Sequence, residues 1–224
     1  MRTLATAFAA CLFAAGCLPC EAAPFAVQLG DARVALDAPP GFADTGFTGS
    51  PRLQEHAESI TSASNRVLLF AISDADLRRF MGGDPMELKR YMVIATPKNS
   101  ERESLSAGGF ARITGASLRE LGAAPAAGTD YSRYLDSQPP GRAALLAELA
   151  REPTVVSVLH GTRLPPARRN DPPSYMLSTS TLLLVRGKAL NLAAYTAYET
   201  DADLEWIRDI TARWIEDMKR LNAR

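Results

Sequence analysis

Apolar and polar positions along the chain follow two rhythms. The two-residue rhythm predicts strands. Phe25-Ala-Val-Gln-Leu29 and Arg33-Val-Ala-Leu36 alternate on either side of Gly30-Asp31, a pair that supports chain reversal, so the segment reads as a hairpin. Pro39-Pro40-Gly41-Phe42 then stops the second strand. Asn65 to Ile72 is almost continuously apolar, the signature of a strand covered on both faces, and it is expected to lie centrally in its sheet. Tyr91 to Ala95 reads as a strand ending at Pro97, and the β-branched stretch Thr154 to Leu159 as another. Tyr175 to Val185 and Ala189 to Tyr198 form a long hairpin around Arg186-Gly187-Lys188, where glycine allows the positive φ of a tight reversal.

The 3.6-residue rhythm predicts helices. In the last one Ile207, Ile210, Trp214, Met218 and Leu221 share a face opposite Glu205, Asp209, Arg213, Glu216 and Arg220, and Thr200 or Asp201 supplies the cap. Its tryptophans read as core or core edge. Ser100-Glu101-Arg102-Glu103 has the form of a capping box opening a longer helix whose Phe110, Ile113, Leu118 and Leu121 face the core, with Gly122 and Pro125 ending it. Asp84-Pro85-Met86-Glu87 predicts a short helix start, and Arg142 to Ala150 a short helix. Asp-Ala-Asp-Leu occurs at 74–77 and again at 201–204, each time before helical patterning, which reads as two aspartate N-caps. Residues 123–141 and 164–174 are rich in proline and read as surface insertions. Together these elements predict an α+β fold: a mostly antiparallel sheet of six or seven strands covered by helices, the C-terminal amphipathic helix among them. Residues 23–224 are expected to form a single domain.

The opening strand followed by Pro39-Pro40-Gly41-Phe42, the late hairpin around Gly187 and the capped terminal helix resemble the PsbP/DcrB-like α/β/α sandwich. The likeness spans the first and last quarters of the body and lies in architecture. It implies an exported or lumenal accessory protein or binding module without catalytic residues, with 123–174 as additions. No functional residue transfers from it.

Residues 1–22 have the layout of a secretory signal. Arg2 and the amino terminus are positive, Leu4 to Leu18 is apolar, and small residues suit cleavage after Ala22. This places the protein in the periplasm, or tethered to the outer membrane, of a bacterium. Ala14-Ala15-Gly16-Cys17 resembles a lipobox, making Cys17 the lipidation candidate; otherwise Cys17 is another small apolar residue of the signal. All three cysteines (Cys11, Cys17, Cys20) fall in this segment, so the body relies on its core rather than on disulfides.

Charge and composition narrow the chemistry. Lys+Arg and Asp+Glu number 25 each, which argues against nucleic acid as a partner, since that needs surplus cations. Only His56 and His160 are available as imidazoles, neither with metal-ligand spacing, so no metal and no cofactor is expected. There is no Gly-x-Ser-x-Gly elbow, no dinucleotide glycine motif, and Gly187-Lys188 lacks the rest of a phosphate loop. No residue is assigned a catalytic role. Arg163, Arg168 and Arg169 on a proline-stiffened loop are the candidates for contact with an anion or partner. Tyr195 and Tyr198 must point to opposite sheet faces, one of them available to a shallow surface site. The expectation is an exported non-catalytic accessory or binding module of the cell envelope, whose partner is an envelope protein or small ligand and which meets the membrane only through a lipid anchor. The alternatives are an envelope hydrolase with a dispersed Ser/His/Asp site and a structural lipoprotein anchored through Cys17.

Overall fold

The computed structural model describes residues 24–223 except 127, 167, 169 and 170. The signal segment with Cys17 and Ala22 lies outside the described residues, as does Arg169. The order is β1 (Phe25–Leu29), β2 (Ala32–Leu36), β3 (Phe42–Asp44), α1 (Pro51–Ser59), β4 (Asn65–Ser73), α2 (Asp74–Gly82), β5 (Arg90–Pro97), α3 (Ala107–Leu121), α4 (Tyr131–Asp136), β6 (Ala143–Glu152), β7 (Val155–Arg163), β8 (Tyr175–Val185), β9 (Lys188–Tyr198) and α5 (Asp201–Leu221). Seven strands form one antiparallel sheet in the order β3-β4-β5-β9-β8-β7-β6, and β1-β2 is a separate hairpin. The fold is thus α+β, a largely antiparallel sheet covered by helices.

Alternation decides the two faces. Leu190, Leu192 and Ala194 of β9, with Met92 and Ile94 of β5, point into a core closed by α5, the β1-β2 hairpin and α4. Phe70, Ile72, Val93 and Ala95 point the other way, under α1 and α2. The terminal helix has the predicted face: Ile207, Ile210, Trp214 and Met218 are buried. It is started by a reciprocal box between Thr200 and Asp203, which satisfies free N–H groups of the first turn. Trp214 Nε1 donates to the Asp37 carbonyl at 2.9 Å, and Asn222 after the helix brackets Ala35 with two 2.9 Å bonds, tying α5 to the hairpin. Lys188 opens β9 with its side chain 1% exposed; its ammonium meets the Asp31 carboxylate at 2.9 Å and the Glu103 carbonyl at 2.8 Å.

Several expectations are corrected. Residues 143–152 are strand β6, not a helix. The helix-favouring Ala-Leu-Glu run is recruited by the bare edge of β7, with register shifts at Leu145/Ala147 and Glu148/Ala150. β4 does have both faces covered but lies second from the edge, not centrally. The Asp-Ala-Asp-Leu segments form first helical turns, and the caps are the preceding Ser73 and Thr200. Residues 84–88 are irregular, because the Glu87 N–H is drawn to the Asp76 carboxylate at 2.7 Å. The box at Ser100 does not open α3; Ser106 does, accepting from the Gly109 N–H at 3.1 Å. On α3, Phe110 and Thr114 are buried whereas Ile113 is 54% exposed. The 123–141 excursion contains α4, anchored by fully buried Leu135. Helix α1 arises where no element was expected.

Candidate functional site

A concavity of about 610 Å³ lies between α1 and the outer edge of β4. Its origin is a strand that ends early. β3 pairs only with Ala71–Ser73, so from Asn65 to Leu69 no strand lies on the outer side of β4. A β-bulge between Val67 and Leu69 twists this stretch. Gln54, Ala57 and Glu58 of α1 form the opposite wall.

Asp44, the last residue of β3, closes one end. Its Oδ1 accepts the Phe70 N–H at 3.3 Å, while the Thr45 N–H takes the Phe70 carbonyl at 2.8 Å. Gly46 lies close beside it: a Cβ there would come within 2.9 Å of Asp44 Oδ2, and the carboxylate would have to shift. Among the described residues no lysine, arginine or histidine ion-pairs with Asp44. Burial raises its carboxyl above the ordinary carboxylate range, against the pull of the Gly46, Phe70 and Thr45 N–H groups. The cleft's cations do not serve it: Arg66 pairs with Glu101 at 2.9 Å, and Lys98 donates to the Ala63 carbonyl at 2.8 Å. Phe47, 70% exposed, stands on the turn between Gly46 and Gly49, both of which line the cleft.

A second concavity of about 320 Å³ lies where the two Asp-Ala-Asp-Leu turns approach each other, and its charges are matched. Arg90 meets Asp203 at 2.9 Å and lies 4.2 Å over the Trp206 ring; Lys89 meets Glu199 at 3.1 Å; Arg79 pairs with Glu87. Buried Asp76 accepts the Ser73 hydroxyl at 3.1 Å as well as the Glu87 N–H. This is a clasp between β-strand ends, saturated by its own partners.

The arginines proposed as contacts do not converge. Arg163 turns back to α4, donating to the Asp136 carbonyl at 3.1 Å with its carboxylate at 3.8 Å. Arg168 is fixed through its backbone N–H to Asp171 at 2.8 Å. Tyr195 and Tyr198 do lie on opposite faces. Tyr195 stacks on its cross-strand neighbour Tyr91 with ring centres 4.5 Å apart, and burial pushes the Tyr91 phenol up to about 12. His160 and Ser178 are neighbours across β7 and β8 in the same row as Tyr195, yet neither histidine's imidazole hydrogen-bonds a serine or a carboxylate among the described residues. Burial lowers the His160 pKa; His56 packs its ring 5.7 Å from Phe70.

Neither α1 nor Asp44 was singled out by sequence reasoning. Ser50-Pro51, a cap residue followed by proline at the first helical position, with Leu53 and Ala57 one turn apart, is the signal that marks α1. Nothing local marks Asp44, because its importance comes from where a neighbouring strand stops. No protein-family model matches the chain, and no curated protein matches it. No helix among the described residues is long and apolar enough to cross a membrane.

Proposed function

We propose that this protein is an exported, non-catalytic binding module of the bacterial cell envelope, and that its ligand or partner occupies the cleft between α1 and β4. The observation that carries the reading is Asp44, a half-buried carboxylate with no cation beside it among the described residues, at the end of a cleft large enough for a ligand. Partial burial of a carboxylate that backbone N–H groups stabilise but no cation neutralises costs stability, and such cost concentrates at sites that bind. The charges of the smaller concavity, by contrast, are already consumed internally. Export is supported by the charged, apolar and small-residue regions of 1–22 and by the restriction of cysteine to that segment. The resemblance to PsbP/DcrB-like sandwiches supports the same reading. A lipid on Cys17 would tether the module to a membrane without changing the cleft.

The test has two arms. Amino-terminal sequencing of the protein from envelope fractions is expected to begin at Ala23, or to be blocked if Cys17 carries lipid. Isotope-labelled protein titrated with fractionated envelope extract is expected to show amide shifts concentrated on α1 and β4. Shifts confined to other surfaces, or none with any fraction, would overturn the reading.

A further inference from the structure

The cleft does more than offer volume, because one of its walls is the main-chain edge of a strand. The lane that β3 occupies beside β4 is filled only as far as Asp44 and Thr45, and beyond them no strand pairs on that side with Arg66–Leu69, while the Asn65 N–H is bonded to the Ser62 carbonyl at 2.9 Å. At about 3.3 Å per residue, Arg66–Leu69 offers roughly 13 Å of edge to an incoming chain. Resting on the binding-module reading, we propose that the cleft takes an extended peptide segment of a partner, which continues the β3 lane along β4 and sets a lysine or arginine side chain against Asp44.

Four features select this occupant. Strand addition draws affinity from main-chain hydrogen bonds and specificity from side-chain pockets, and here both are present at one place. The charge complement is specific: among the described residues Asp44 lacks a cation, the cations nearby are engaged elsewhere, and the Glu58 carboxylate on the facing helix accepts only from Gln54, at 3.1 Å. A basic side chain reaching Asp44 would supply the missing partner at a site where burial strengthens the attraction. The bulge at Val67/Leu69 breaks the regular array of edge groups, so a short segment fits and the long flat edge of a second copy does not. Exposed Phe47 on the rim provides an aromatic anchor of the kind that dominates peptide and protein contacts. It sits on the turn that leads away from Asp44, where a bound side chain would cover it.

The experiment uses two pentapeptide pools, acetyl-Xaa-Xaa-Lys-Xaa-Xaa-amide and the same pool with norleucine in place of lysine, followed by amide chemical shifts of the full mature chain. The lysine pool is expected to bind at least tenfold more tightly than the norleucine pool, shifting Asn65–Phe70 and Thr45. Asp44→Asn is expected to erase the preference of lysine over norleucine. Phe47→Ala is expected to weaken both pools alike. Spectra of both variants outside the cleft report that the fold is intact. Absence of binding by either pool, or an undiminished lysine preference in Asp44→Asn, would overturn the peptide assignment. In that case shifts on α1 and β4 with envelope extract would still uphold the broader reading, so the two fail separately.

Discussion

Gly161 in β7 offers a sharp test of how the α4 excursion is joined to the core. A Cβ at this position would come within 2.8 and 2.9 Å of the two Leu135 methyls and 2.9 Å of Leu146 Cδ1. Both leucines are buried to within 1%. The backbone at Gly161 does not have a positive φ, so its need for glycine is steric: the leucine of α4 packs directly on the main chain of the sheet. Gly161→Ala gains about 0.5–1 kcal/mol from backbone entropy, against an overpacking cost of about 1–3 kcal/mol. A net loss of about 1–2 kcal/mol is expected. Leu135→Ala alone costs about 2–5 kcal/mol through transfer and cavity terms. In the double variant the new methyl enters space the leucine has vacated, so the combined loss falls short of the sum by about 1–2 kcal/mol. Urea unfolding at pH 7 measures this as midpoint shifts at constant slope. An alanine variant as stable as the parent, or strict additivity, would refute the packing argument.

Three further outcomes follow from the same geometry. Lys188→Met strips the Glu103 carbonyl of its donor and is expected to cost about 1–3 kcal/mol; amide exchange should rise first in the β1-β2 turn, where Asp31 loses its partner. The Tyr91 phenol, raised to about 12, favours the folded state while neutral, so its contribution holds below the ordinary tyrosine range and is lost as pH rises from there through the folded value. Spectrophotometric titration should therefore show at least one phenol ionising only as the protein unfolds, and normal titration of all six tyrosines in the folded state would contradict it. Asp44 has the same sign: with its carboxyl raised, the folded state prefers the neutral form, and that stability, present below the ordinary carboxylate range, is lost as pH climbs through the raised value. Asp44→Asn is thus expected to match or exceed the parent's urea midpoint at pH 7, and a clear loss there would mean that the charge is compensated.

Where one rhythm governed one surface, the fold was legible. β8 and β9 alternate because one face of the hairpin is buried and the other only half-buried, and α5 keeps a single apolar stripe over the sheet. Legibility failed where tertiary context outweighed local preference. Ala143–Glu152 has helix-forming side chains but faces an unpaired edge of β7, and pairing along it wins. Ser100–Glu103 has cap chemistry, yet its backbone is committed to β9 through Lys188, and the next residues to Gly187, so the helix waits for Ser106. The second copy of Asp-Ala-Asp-Leu shows the limit of motif reading, since the serine or threonine before it holds the capping role. The candidate site was the least legible part. An open edge is the absence of a neighbour, decided by β3 ending after three residues, and the arginine loop that stood out by composition is turned back onto α4 and Asp171.

The central claim is that Asp44 is a partly desolvated carboxylate, held by backbone N–H groups, that takes its cation from outside the chain. Carboxyl ¹³C resonances followed through an acid titration read this directly, in the free protein and again in the presence of saturating lysine pentapeptides. Asp44 is expected to titrate above the ordinary aspartate range when free and to drop below its free value once the peptide is bound. A free-state value at or below the ordinary range, or one unmoved by the peptide, would contradict the account.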